Sequence, residues 1–305
     1  MDISILNQLD ASTLRQVLPG YLSSYFANNE ASAANRARLT KLVAAWRDTE
    51  TEALLQTLSI LGEEMRLYPA DPCGRSLSRS WSRDAITSWN ADGLEHLKAA
   101  SDAGPVIILC NHLSYYDATA TDAVIAWAGH QDIADRLLFA AGPKVYKHMF
   151  RRVAAGCLNT VKVPQSTRLA HTERVSMRDL ARQATSSLQA AAQGMTKDRL
   201  ILLLYPEGSR TRDGHMGSFL KGVHRYLSSV DGIAVVPMTV EGTDLLMSVD
   251  NDERIVPGAI HLSFMPPLHV GPDGASRDIL GKLHGRIGAA LPPNHRPQPG
   301  TPALV

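Results

Sequence analysis

The sequence predicts an α/β fold: a mixed, mostly buried sheet flanked by helices, with a small N-terminal helical domain. Two observations carry this. From Gly104 onward, short apolar β-rich runs alternate with helical stretches, and the runs are apolar throughout, as in strands covered on both faces. Across residues 1–85 strand signals are sparse, and apolar residues recur at three- and four-residue steps, as one face of a helix requires.

In chain order, Ile3, Ile5, Leu6 and Leu9 precede Leu14, Val17 and Leu18; Leu39, Leu42, Val43 and Trp46 follow, then Leu54, Leu55, Leu58 and Leu61. Pro19-Gly20 and Pro69–Pro72 read as breaks, so a helical bundle or hairpin is expected to end near Pro72. A linker or another short helix would then run to Gly93. The expected division is a helical domain over 1–85, as scaffold or docking surface, and a second domain over 86–305. The predicted strands are Val106–Cys110, Leu137–Ala141, Thr160–Val163, Leu200–Tyr205, Ala234–Val240 and Ile260–Phe264. The predicted helices are Ala118–Ala128, Val145–Val153, Met177–Gln193, Val223–Ser229 and Ile279–Leu291. The proline-rich tail from Pro292 is expected to be loosely held.

Composition narrows the classes. The 305 residues are 44% hydrophobic and 20% charged, which argues against a disordered chain, a collagen-like chain and a coiled coil. With 31 basic and 30 acidic residues the formal net charge is +1, which argues against a globally basic nucleic-acid binder. Three cysteines, Cys73, Cys110 and Cys157, cannot close a disulfide framework, and no Cys-x-x-Cys occurs. A reducing compartment is the simplest reading. The N-terminus has no basic segment before an apolar one, as a secretory signal requires. The longest apolar runs are far short of the ~20 residues of a membrane-crossing helix.

Three clusters carry chemistry. The first, Asn111-His112-Leu113-Ser114-Tyr115-Tyr116-Asp117, follows a buried strand and opens a helix. Asp117 can cap the helix start or turn toward His112, fixing its tautomer and leaving a more basic nitrogen free. In the second case the pair can take a proton from an alcohol; in the first, the histidine is incidental. The second cluster is Tyr205-Pro206-Glu207-Gly208-Ser209-Arg210-Thr211-Arg212. Gly208 permits a turn, and Arg210 and Arg212 can grip one phosphate. Glu207 can orient an arginine or a substrate hydroxyl. A plain solvated loop is the other reading. The third is a basic stretch, Lys144, Lys147, Arg151, Arg152, Lys162 and Arg168, with no acid between Gly142 and Arg168. It suits an anionic membrane, a phosphorylated cofactor or an acidic carrier protein, or is a solvated helix face. Val235-Val236-Pro237-Met238 reads only as a strand with proline at an edge or bulge.

Taken in order, the stretch from Gly93 to Asp117, then Pro206-Glu207-Gly208-Ser209-Arg210, then Val236-Pro237, resembles the glycerolipid acyltransferase family, the glycerol-3-phosphate and lysophosphatidic acid acyltransferases. The resemblance covers roughly Gly93 to Phe264. It implies His112 as general base and Asp117 as its orienter. It places the glycerol phosphate on Glu207, Gly208, Ser209 and Arg210, and makes Pro237 part of the acyl-donor site. The stretches Ala140–Val145 and Gly156–Lys162 are similar to the soluble plastid glycerol-3-phosphate acyltransferases, which also implies phosphate contacts from Arg212 and Lys162. Two departures stand out. Pro-Glu-Gly-Ser-Arg has the form of the lysophosphatidic acid branch, and Val163-Pro164 follow Lys162 where that branch has an arginine.

The chemistry implied is direct transfer of an acyl group from acyl-CoA or acyl carrier protein to a glycerol hydroxyl of glycerol 3-phosphate or lysophosphatidic acid, without cofactor, metal or acyl-enzyme. A cytoplasmic protein with peripheral contact to the inner membrane surface is expected. A serine hydrolase would show Gly-x-Ser-x-Gly and a zinc hydrolase His-Glu-x-x-His; neither occurs. A non-phosphorylated lipid or natural-product acceptor, and a catalytically idle lipid-binding protein, remain as alternatives.

Overall fold

In the computed structural model the protein is described over residues 3–164, 176–248, 254–270 and 276–305. Four helices come first: α1 (Ala11–Ser23), α2 (Asn29–Ala44), α3 (Asp48–Ile60) and α4 (Pro72–Ala85). Side-chain caps start three of them. Asp10 accepts from Thr13 N–H, Asn28 from Glu30 and Ala31, and Asp71 from Gly74. Pro72 takes the first position of α4, where its missing N–H leaves no bond unmade.

Pro19-Gly20, expected as a break, lies inside α1. Leu14, Leu18 and Leu22 are buried on both sides of it, so tertiary packing carries the helix across the lost bond. The stretch from Pro72 to Gly93, expected as a linker or another short helix, holds the helix α4 and also a strand, β2 (Ile86–Asp92). β2 sits at the sheet edge and is mostly exposed, so it carries none of the apolar run that marks a buried strand.

The remaining strands are β1 (Leu67–Tyr68), β3 (Val106–Cys110), β4 (Leu137–Ala141), β5 (Asn159–Lys162), β6 (Ile201–Leu204), β7 (Ala234–Glu241), β8 (Gly258–Phe264) and β9 (Leu268–His269). Their order is β1-β5-β4-β6-β3-β7-β8-β2, with β9 beside the start of β7. The run β5-β4-β6-β3-β7 is parallel. β8 turns antiparallel to β7 and pairs in parallel with β2. β3 is wholly buried, and its alternate residues feed two clusters. Val106, Ile108 and Cys110 join Leu18, Leu54 and Leu77 of the N-terminal helices. Ile107 and Leu109 join Ala191 of α10 (Met177–Lys197) and Leu283 of α13 (Ser276–Ala290). The N-terminal helices thus share one core with a face of the sheet. Arg79 of α4 also pairs with buried Asp122 of α6 (Asp117–Trp127), and Arg75 and Arg79 with Asp135 of α7 (Gln131–Asp135).

The helix expected over Val145–Val153 is two, α8 (Pro143–Lys147) and α9 (Met149–Gly156), separated by extended backbone at His148. The short helices α5 (Leu94–Ala103), α11 (His224–Leu227) and α12 (Thr243–Leu246) complete the described set. The tail is not loose. Met216 N–H donates to His295, Phe219 exchanges backbone bonds with Ala303 and Val305, and Lys221 N–H donates to Val305. Proline content signalled irregular backbone, but that backbone finds its partners in the 216–221 segment.

Candidate active site

β3 lies between β6 and β7, so its C-terminal end opens a crevice of the kind where α/β sheets place ligands. Asn111 extends the ladder one step: its amide donates to Val240 O and accepts from Val240 N–H, each at 2.9 Å. The next residue, His112, is anchored in its backbone as well. Its N–H donates to Glu207 Oε1 at 2.9 Å, and its carbonyl accepts from Thr211 N–H.

Asp117 opens α6 but bends its carboxylate back into the preceding loop. It is fully buried. Oδ2 lies 2.7 Å from His112 Nδ1 and accepts from Leu113 N–H at 2.8 Å. Ser114 N–H and the Thr243 hydroxyl donate to Oδ1. Of the two roles open in the sequence, Asp117 takes the imidazole-facing one. A carboxylate at Nδ1 requires a proton there and leaves Nε2 as the basic nitrogen. The His112 ring stacks on Tyr205, with centroids 4.0 Å apart and planes 15° from parallel. Tyr205 and Thr243 were not among the candidates. Tyr205 opens the second cluster but carries no role there in the sequence reading, whereas nothing local points to Thr243, 126 residues from Asp117.

Glu207 pairs with no arginine among the described residues; its first oxygen accepts from His112 N–H. Its second oxygen accepts from Gly217 N–H at 2.7 Å, so it staples three chain segments together. Burial pushes its pKa up to about 7, against the pull of those two N–H donors. Gly208 has φ +71°, a conformation that favours glycine, and a Cβ there would also press on the end of the Leu220 side chain.

Beside the dyad lies a cavity of about 680 Å³. Apolar side chains, among them Leu22, Leu77, Trp81, Phe139, Phe150 and Val153, make up much of its wall. The same wall carries His112, Ser209 and five cations, Lys144, Arg151, Arg210, Arg212 and Arg225; no acidic residue lines it among the described residues. No carboxylate pairs with Arg210 or Arg212 among those residues either.

Two candidates fall elsewhere. The Lys162 ammonium donates to Gly62 O at 2.7 Å, in a separate cleft with Lys147 and Arg152. Burial, then Lys147, lowers its pKa. Pro237 sits inside β7 opposite Leu109, where the strand passes from β9 to β8, and does not line the cavity. The basic stretch is not one solvated face either. Arg152 is buried, donating to the carbonyls of Leu58 and Ser59 at the end of α3, where a cation is favoured, and to that of Tyr146 in α8. Lys144 and Arg151 face the cavity, and Arg168 lies outside the described residues.

The sequence pattern of the Acyltransferase family matches residues 89–241, half of the chain. The chain belongs to the acyltransferase family. That stretch carries β3, the dyad, the second block and β7, and leaves α1–α4 outside it. Among relatives, this acyltransferase-family chain is 31% identical over 132 residues to the 1-acyl-sn-glycerol-3-phosphate acyltransferase of Limnanthes douglasii, covering 42% of this chain and 46% of that protein. It is 33% identical over 86 residues to the chloroplastic 1-acyl-sn-glycerol-3-phosphate acyltransferase LPAT1 of Arabidopsis thaliana, covering 28% and 23%. The chain thus spans less than half the length of these relatives. Among solved structures, the 1-acyl-sn-glycerophosphate acyltransferase PlsC of Thermotoga maritima aligns over 90% of this chain and 97% of its own, with a TM-score of 0.47 and 16% identity. No helix among the described residues is long and apolar enough to cross a membrane.

Proposed function

We propose that this protein transfers a fatty acyl group from an acyl thioester to a free hydroxyl of lysophosphatidic acid. The observation that carries the reading is a basic imidazole nitrogen at a cavity whose lining is largely apolar and whose charged side chains, among the described residues, are all cationic. Such a cavity suits an amphiphile with an anionic head. Relatives that bear the name 1-acyl-sn-glycerol-3-phosphate acyltransferase favour lysophosphatidic acid over glycerol 3-phosphate, as does the Pro206–Arg210 form.

In this mechanism Arg210 and Arg212 take the phosphate, with Ser209 and the turn at Gly208 beside them, and the apolar wall takes acyl chain. His112 Nε2 removes the hydroxyl proton as oxygen attacks the thioester carbonyl. Asp117 holds the imidazolium that forms. Collapse of the tetrahedral intermediate makes the ester and breaks the C–S bond; the proton passes from His112 to the leaving thiolate. No bond to the protein forms. Glu207 supports this from beneath by holding the His112 backbone, and Lys162 and Pro237 have no contact role in it.

The test is thiol release by the purified protein, with acyl-CoA or acyl carrier protein as donor and lysophosphatidic acid, glycerol 3-phosphate or no acceptor. Release that needs lysophosphatidic acid and vanishes in His112→Ala is expected. Equal release without acceptor, or wild-type turnover in that variant, defeats the reading.

A further inference from the structure

An aromatic ring covers one face of His112. Tyr205 follows β6, the strand paired with β3, so the two side chains leave neighbouring strand ends. Their ring centroids are 4.0 Å apart and their planes 15° from parallel. Stacked atoms touch at about 3.5 Å, which leaves a sideways offset of about 2 Å, so the imidazole lies over the face of the phenol ring and not beside its edge. Asp117 at Nδ1 fixes the direction of the imidazole within its plane, and the stack fixes the plane itself. Together they aim Nε2.

The polar end of Tyr205 does not account for its place. The hydroxyl is buried and has no hydrogen-bond partner among the described residues. Burial, then the nearby Asp117 charge, pushes its pKa well above that of an ordinary phenol, so it stays neutral and is no proton donor to the reaction. What Tyr205 offers His112 is its ring face, which carries the negative part of the ring quadrupole. A neutral imidazole gains little charge stabilisation from that face, whereas an imidazolium makes a cation–π contact with it. The contact therefore strengthens as His112 takes the acceptor's proton. An interaction stronger in the transition state than before it raises the rate.

We propose that Tyr205 is a positioning residue that sets the plane of the His112 ring and stabilises, through its π face, the imidazolium formed during transfer. This rests on the acyl-transfer reading above and gives the same charge two supports, Asp117 at the edge of the ring and Tyr205 on its face.

The experiment compares wild type, Tyr205→Phe, Tyr205→Leu and the protein carrying pentafluorophenylalanine in place of Tyr205. The fluorinated ring has nearly the shape of Phe but a reversed charge on its face. One arm measures kcat and acceptor KM with acyl-CoA and lysophosphatidic acid. The other follows the proton affinity of His112 by NMR titration of its imidazole, assigned by its loss in His112→Ala, and needs no turnover. The charged and titratable groups around the imidazole are Asp117 at Nδ1, Glu207 at its backbone N–H, Cys110 two residues earlier on β3 and the five cations of the cavity. They are the same in every variant, so a difference between variants reports the ring. Tyr205→Leu and the fluorinated ring are each expected to lower the proton affinity of His112 and kcat about five- to thirty-fold, the range for loss of a cation–π contact away from water. Acceptor KM stays within about threefold. Tyr205→Phe restores both values. A fluorinated ring that matches Phe in both arms overturns the proposal, because a ring that merely packs would do so; this comparison decides the question even where Tyr205→Leu unfolds. Unchanged proton affinity and kcat in a folded Tyr205→Leu also overturns it. Either result leaves the acyl-transfer reading standing if His112→Ala still abolishes thiol release, whereas wild-type release in His112→Ala would sink the base assignment instead.

Discussion

The loops that leave β3 and β6 are neighbours in space and opposites in character. In the β3 loop every polar atom of Asp117 is engaged inside the protein, by His112, Leu113, Ser114 and Thr243. In the β6 loop Glu207 is similarly committed, but Arg210 and Arg212 reach the cavity without a carboxylate among the described residues. The first loop is finished without ligand and the second is not. That difference separates preorganised chemistry from binding: a base must be set before substrate arrives, whereas a cation saturated by the protein's own acids cannot grip a phosphate.

The largest expected effect tests the finished loop. Asp117→Asn keeps the size of the side chain but removes the charge that stabilises the imidazolium. We expect kcat to fall by roughly 10²–10⁴, the range for impaired general-base catalysis, with acceptor KM little changed. A variant that loses acceptor affinity but keeps kcat would show that the loop binds rather than catalyses.

The unfinished loop should respond in the other parameter. Arg210→Ala is expected to raise the KM for lysophosphatidic acid roughly tenfold to a hundredfold, the loss of a charge-assisted hydrogen bond. If 1-monoacylglycerol suffers equally, Arg210 is not a phosphate contact.

Glu207 joins the two loops, and its titration shows the cost of the join. The folded protein holds this proton until about pH 7, whereas an ordinary glutamate releases it near 4.5. Between those values the native state binds more protons than the unfolded chain, so this group makes stability fall as pH rises, by at most about 3 kcal/mol. Urea unfolding across that window should show the slope in wild type and lose it in Glu207→Gln. Parallel curves would mean that Glu207 titrates normally.

Lys162 gives the smallest effect. It donates to a carbonyl just beyond the end of α3 and lies outside the dyad's cavity. Lys162→Met should leave acceptor KM within about twofold and lower stability by about 1 kcal/mol. A tenfold rise in KM would return it to the phosphate site.

Much of the frame was legible in advance because its signals are local. β3 and β4 have the bounds that their apolar runs predicted, since a strand covered on both faces must be apolar throughout. The His-x4-Asp spacing sufficed to bring His112 and Asp117 within bonding reach, because one tight loop closes it. β2 and the continuity of α1 through Pro19 were not legible. Each depends on partners distant in the chain, Ile260 and its neighbours for β2 and the shared core for α1.

The residues alone determined which groups could do chemistry: a histidine and an aspartate at a strand end, arginines two residues apart, a glycine where the chain must turn. Only the tertiary structure decided which of them face a ligand. It turned Glu207 inward onto the backbone of His112, 95 residues away, and set Arg152 against the carbonyls at the end of α3. It also gathered cations from four segments around one apolar cavity. The reason is physical: whether a charge is a strut or a site depends on what burial leaves beside it, and those neighbours come from across the whole chain.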